Sequence, residues 1–295
     1  MYLKTDRIVV TIKDVVFRTY RSGTVGQYVL DPTALTGWDD GTNIRRSATV
    51  RPVSAGDFAE PYTFSARVIA LSGTAVARDR SELQRMRDNL AGLLKEGEYG
   101  QISVETAAGT RYATVGLEGK VEWVQQLDNV AVFRVEFYAP DPYIYGYEQV
   151  ITIGTGSGTS AGGGLTYPLK YALDYNAQNK EQTASTITNN GNVAAWPKFV
   201  ITGDYYSGFT ITDGKDKSVT YNGMVTPQSP VTIDMAKGTA MQNRIDKSTN
   251  LSEREWFSVA PAQTMKPKFL PIADVTGGPV WLTGWCDIII RDTFI

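Results

Sequence analysis

The sequence contains no histidine and a single cysteine, Cys286, in 295 residues. Without histidine the commonest general base near neutral pH and the commonest metal ligand are missing, which excludes Ser-His-Asp and Cys-His catalysis within the chain. One cysteine cannot close an intramolecular disulfide, and it excludes a cysteine metal cluster within one chain. No apolar run approaches the roughly 20 residues of a membrane-crossing helix. Met1–Asp6 lack the basic and apolar regions of a secretory signal. An excess of charge of one sign is missing too. The 29 Lys and Arg against 31 Asp and Glu leave a net charge of -2, so there is no global field to capture nucleic acid. These absences predict a chain made in the cytoplasm, with no cofactor, no metal and no membrane partner.

What is present favours β-structure. The composition is 42% hydrophobic and 11% aromatic, with 16 Tyr and 6 Trp, and aromatics suit pleated, half-buried surfaces. The length suffices for two domains with separate cores. The glycine-rich run from Gly154 to Gly164 buries no apolar area, so it reads as a linker or an exposed loop at a domain edge. The expected division is a first domain over 1–147, a linker over 148–164 and a second domain over 165–295.

Before the linker, Tyr62, Phe64, Ala66 and Val68 alternate with Thr63, Ser65 and Arg67, the period of a half-buried strand. Ala131, Phe133, Val135 and Phe137 alternate with Arg134 and Glu136 in the same way. Between them the spacing of Leu83, Met86, Leu90, Leu93 and Leu94 predicts an amphipathic helix over about 80–95. Ser81 with Gln84 reads as its capping box, and Gly97 and Gly100 as its end. The first domain is therefore expected to be a sheet or small sandwich with one packed helix. After the linker, short apolar runs are punctuated by Asn190-Gly191, Asp213-Gly214, Asn222-Gly223 and Lys237-Gly238, which predicts an antiparallel sandwich.

Few groupings suggest chemistry. Asp39-Asp40-Gly41 and Asp213-Gly214-Lys215-Asp216 lack the spacing of a calcium loop and read as turns. Glu253 and Glu255 beside Trp256 could serve a carboxylate-only glycoside hydrolase, but neighbours two apart on a strand do not face each other across a cleft. Arg45, Arg46 and Arg51 lie near Trp38 and are candidates for a protein–protein interface, where arginine and tryptophan are enriched. A nucleic-acid contact or a plain surface loop are the other readings of this group. Trp196 and Trp256 are candidates for sugar stacking, with core packing as the default for aromatics in β-runs.

Several segments in order carry a resemblance. The stretch from Ala77 through Leu83 to Leu94 follows the strand-like Val68–Gly73. An aromatic strand ends in Ala139-Pro140-Asp141-Pro142. Gly163-Gly164-Leu165-Thr166-Tyr167-Pro168-Leu169 opens the second half, followed by Asn190-Gly191-Asn192 and Trp196-Pro197-Lys198-Phe199. Trp256-Phe257-Ser258-Val259-Ala260-Pro261 comes late, and Trp281-Leu282-Thr283-Gly284-Trp285 leads to the ending Arg291–Ile295. In this order and spacing the chain resembles the distal tail proteins of long-tailed, non-contractile phages, and the resemblance covers nearly its whole length. One departure is Pro261-Ala262, where that family usually has Pro-Gly.

The resemblance implies a mainly β protein. Its first domain would be a tail-tube-like β-sandwich with one packed α-helix, and its second a galectin-like antiparallel β-sandwich. It further implies a structural, non-enzymatic protein of the virion tail tip or baseplate. That protein would form a homo-hexameric ring around the DNA channel, joining tail tube to tail-associated and receptor-binding proteins, with DNA passing through unbound. A carbohydrate-binding module for host attachment is the alternative, motivated by the tryptophans.

Overall fold

In a computed structural model the described residues are 7–20, 26–154, 182–183, 186–272 and 284–295. Two compact units emerge, Met1–Tyr147 with Phe294–Ile295, and Glu148–Thr293. Residues 148–154, expected in the linker, instead continue the strand Ile144–Gly154. Residues 155–164 and the whole of the segment resembling the second-half entry, 163–169, lie outside the described residues, as does Trp281.

The first unit is one sheet closed on itself. The antiparallel partners Gly100–Thr106, Val9–Ile12 and Val15–Arg18 follow from the first half of the long strand Gly109–Leu127. A short parallel contact joins Val15–Arg18 to Gln27–Thr36. Arg67–Val76 and Val130–Ala139 continue the cycle, and the latter pairs back onto the second half of Gly109–Leu127. One strand can serve two neighbours because it bends where its register shifts, between Glu118 and Glu122, around Gly119 at φ 68°. Glycine takes that backbone conformation without a Cβ clash.

Phe17, Tyr28 and Phe133 meet at the centre of this core, with ring centroids 5.2–5.6 Å apart. The alternation predicted for Ala131, Phe133, Val135 and Phe137 is present, and all four are buried. The alternation around Val68 is inverted. In Arg67–Val76 it is Arg67, Ile69, Leu71 and Ala75 that face inward, while Val68 is 46% exposed. Tyr62–Phe64 belongs to a separate short strand. A period of two marks a strand but does not say which set of side chains is inside when a polar residue has partners in the core.

The helix is Arg80–Ala91, and it buries Leu83, Met86 and Leu90 as its spacing predicted. Its N-cap is Asp79, not Ser81: Asp79 Oδ1 accepts the Glu82 amide at 2.8 Å, and Glu82 Oε2 reaches back to the Arg78 amide at 2.6 Å. The reciprocal cap thus sits two residues earlier than expected, built on carboxylates that favour the positive end of the helix dipole. The end also comes earlier, at Gly92, because Leu94 turns left-handed at φ 49°. Leu93 and Leu94 are buried from the turn rather than from the helix. The Tyr28 hydroxyl donates to the Met86 carbonyl at 2.6 Å and anchors the helix to the barrel. Burial raises the Tyr28 phenol to about 12.

The second unit packs two antiparallel sheets. One contains Ile245–Asp246, Thr239–Gln242, Val231–Asp234, Lys198–Gly203 and Gly284–Phe294 in that order; the other contains Gln182–Thr183, Lys268–Pro271, Phe209–Thr212, Ser218–Tyr221 and Leu251–Arg254. Their inward residues, among them Phe199, Ile201, Phe209, Tyr221, Phe269 and Ile288, form a single core. Asp213-Gly214 and Lys237-Gly238 lie at hairpin turns as expected, with both glycines at positive φ. Asn190-Gly191 does something else. A Cβ at Gly191 would lie 1.9 Å from the Thr293 carbonyl oxygen, so this glycine permits close passage of two backbones. The tightest hairpin uses Asn243-Arg244, both at positive φ, between Gln242 and Ile245.

Candidate functional site

The feature of the first unit that most resembles a binding device is an arm between Thr36 and Arg67. The chain leaves the barrel at Gly37, whose φ of 74° and contact with the Val68 carbonyl (1.9 Å from a Cβ there) leave no room for a side chain. Trp38, expected near an interface, is instead 2% exposed and belongs to the first core. A large apolar ring next to a core strand is better placed by burial than in water.

Beyond this root, Ile44–Arg46 pairs antiparallel with Tyr62–Phe64. The ladder continues outward through the Phe58 amide on the Thr49 carbonyl, the Val50–Asp57 bridge and the Arg51 amide on the Gly56 carbonyl. These two strands form their own two-stranded sheet, so among the described residues their outer edges carry no ladder partner. Such edges are templates for pairing with another chain. Ile44, Val50, Val53, Phe58 and Tyr62 are all at least half exposed, and Val53 at 97% marks the tip. Scattered exposed apolar residues are ordinary, but five on one hairpin form a patch.

The three candidate arginines lie on this arm, all exposed. Arg46 lies over the Tyr62 ring at 5.8 Å and Arg51 over the Phe58 ring at 5.6 Å. These contacts hold flat cationic and aromatic surfaces together along the arm, as suits a protein contact.

Arg67 fixes the root. Its Nε donates to the Pro142 carbonyl at 3.0 Å, and its Nη1 to the carbonyls of Gly37 at 2.8 Å and Trp38 at 2.7 Å. The Ala139-Pro140-Asp141-Pro142 segment that carries the resemblance is thereby tied to the arm. Asp141 closes the turn, accepting the Tyr143 amide at 3.1 Å and the Tyr145 hydroxyl at 2.6 Å. Alternation alone places Arg67 on the solvent side, and its signal in the sequence is only a lone arginine before an apolar run.

The other candidates are dispersed. Trp196 is 46% exposed, whereas Trp256 is half-buried against the second core and close over Gly238. Glu253 accepts from the Ser218 hydroxyl at 2.8 Å and the Thr220 hydroxyl at 2.7 Å, and these bonds hold its pKa below the usual carboxylate range. Glu255 accepts the Ser218 amide at 3.1 Å. Both carboxylates thus serve the strand pair Ser218–Tyr221 and Leu251–Arg254, and a lowered pKa is opposite to what a general acid needs. Asp213 accepts the amides of Lys215 and Lys217 within its own turn. Among the described residues no group of three His, Cys, Asp or Glu side chains is placed to hold a metal. The Cys286 thiol is buried, and desolvation pushes its pKa up. An open cleft of about 330 Å³ beside Glu96, Tyr99, Glu118 and Tyr138 brings no nucleophile and base together.

No protein-family model and no curated protein matches the sequence. Solved structures do. The crystal structure of the Dit protein of phage SPP1, described as a paradigm of the hub adsorption apparatus in phages infecting Gram-positive hosts, aligns with a TM-score of 0.61 at 11% identity. The alignment covers 98% of this chain and 99% of that one. Chains of the phage P2 baseplate, in activated conformations with Ca and with Sr, align at TM-scores of 0.44 and 0.45 and 11% identity. They cover 97% of this chain and 98% of theirs. The mainly β fold with one helix is therefore the fold of the SPP1 Dit protein over essentially the full length of both chains.

Proposed function

We propose that this chain is a structural hub protein of a phage tail tip or baseplate, a member of the distal tail protein family. Six copies form a ring around the DNA channel and join the tail tube to tail-associated and receptor-binding proteins. The observation that carries this reading is the end-to-end correspondence of both units with a phage hub protein. Separate domains with common folds recur among unrelated functions, but an ordered pair matched from end to end is a far narrower coincidence. The division into a ring domain and a galectin-like domain belongs to the same proposal.

The exposed arm supports it physically. A closed ring needs two different complementary surfaces on each subunit, joined head to tail. A projection with free strand edges, five exposed apolar side chains and stacked arginines supplies one of them. Ile44, Arg45, Arg46 and Arg51 are its contact residues. Trp38 serves as a buried support, not as a contact. The near-neutral net charge of -2 suits a channel that DNA traverses without adhering. The protein acts by assembly, not by catalysis, and Glu253 and Glu255 are structural ties.

Native mass measurement of the purified chain, alone and with tail-tube ends, tests the ring. Six copies, or a multiple of six, is the expected stoichiometry, and any other closed number contradicts the reading. Glycan binding that disappears in Trp196→Ala, without any ring, would favour the carbohydrate-module alternative.

A further inference from the structure

Arg67 is a buried cation with no carboxylate bonded to it among the described residues. Its side chain bonds three main-chain carbonyls, and its Nη2 is buried with no hydrogen-bond partner among the described residues. Buried charges in proteins are ordinarily paired, and an unsatisfied buried donor calls for a reason. Burial disfavours the charged guanidinium, and two nearby carboxylates, Asp39 and Asp40, oppose that effect. Both are exposed and both sit at the arm's root. Asp40 is already engaged, accepting the Gly37 amide through Oδ2 at 3.0 Å. Among the described residues Asp39 makes no hydrogen bond or ion pair, and its charge acts on Arg67 through space.

We infer that Arg67 and Asp39 form an arm latch: when a second copy of this chain engages the arm, the root closes so that Asp39 pairs with Arg67 Nη2. The inference rests on the arm being a subunit contact. It explains why a cation is kept inward at the start of a core strand, on the face otherwise taken by Ile69 and Leu71. Three bonds join Arg67 to segments thirty and seventy-five residues away, at Gly37 and Pro142. The third nitrogen, Nη2, is left for a partner that arrives by movement of the root. In the free subunit the arm is held by carbonyls alone. In the ring it would also be held by a guanidinium–carboxylate pair, in which both donor and acceptor are charged. Arm position and assembly would thus be coupled through one ion pair, with Arg67 as the positioning residue.

The test compares the full chain with Asp39→Asn and with Asp57→Asn, which makes the same charge change elsewhere on the arm. Unfolding of the free subunit and the concentration at which rings half-form are measured for each. Asp39→Asn is expected to lower the melting of the free subunit only slightly, because in that state Asp39 acts on Arg67 through space and not through a bond. It should need about tenfold more protein to form rings, the scale of one charge-assisted bond. Asp57→Asn should assemble normally, and a ring reconstruction should place an Asp39 oxygen about 3 Å from Arg67 Nη2. Rings that form equally well in all three proteins overturn the latch while leaving the hub reading intact. A wild-type chain that forms no ring, alone or on tail tubes, overturns the hub reading and the latch with it.

Discussion

Single residues carry much of what distinguishes this chain from a generic β protein. Ala262, a non-glycine residue, has a φ of 54°. It follows Pro261 in a turn closed by the Gln263 amide on the Ala260 carbonyl at 3.1 Å. Proline followed by a positive φ is the pattern of a turn that favours glycine at its third position. Alanine at this position is therefore a source of backbone strain at one residue. Ala262→Gly should raise stability by about 0.5–1 kcal/mol, the scale on which alanine is disfavoured in the left-handed region, less the added chain entropy. Chemical denaturation would measure it, and a destabilisation of that size would refute the strained-turn assignment. Arg67 and Val68 teach the complementary lesson. Hydrophobicity alone would bury the valine and expose the arginine. Three carbonyl acceptors reverse that order, because a guanidinium with partners can be buried and a valine at a surface loses little.

At the scale of elements, the helix was the most legible feature. Its apolar spacing located the buried face through Leu83, Met86 and Leu90. Its ends were less legible, since Asp79 and Ser81 both have cap chemistry and both have a suitable residue three positions on. Only the extended backbone of Asp79, at φ -147° and ψ 174°, decides between them. Leu90 is fully buried. Leu90→Ala should cost about 2–5 kcal/mol in equilibrium unfolding, through lost burial and a residual cavity. A loss below roughly 0.5 kcal/mol would mean that the helix does not pack as described. Strand pairing was largely illegible. Nothing local says that Gly109–Leu127 serves two neighbours or that Val15–Arg18 lies parallel to Gln27–Thr36.

At the scale of the molecule, the proposed hub role would place assembly on the arm and folding in the core. Its exposed residues stand outside the first core, while its root is built into it. Replacing residues 47–61 with a short glycine-rich turn should therefore leave thermal unfolding of the free subunit nearly unchanged and abolish ring formation. Rings of normal stability from the shortened chain would remove the arm from the interface. The arginines on the arm were legible as a basic group beside a tryptophan. Their exposure, their stacking on Tyr62 and Phe58, and the burial of Trp38 were not. Each depends on where the chain leaves the barrel.

By itself the sequence determined the mainly β character, the single amphipathic helix, the absence of histidine and disulfide chemistry, and the ordered motifs that resemble distal tail proteins. The first three follow from composition and from short-range periodicity, which act within a few residues; the last is a resemblance carried by the order of the segments. Only the tertiary structure decided the closure of the first sheet, the inward turn of Arg67 and the exposure of the arm. Each of these depends on groups distant in the chain but adjacent in space. Arg67 is inside because carbonyls at Gly37, Trp38 and Pro142 converge on it, and no local pattern records that convergence.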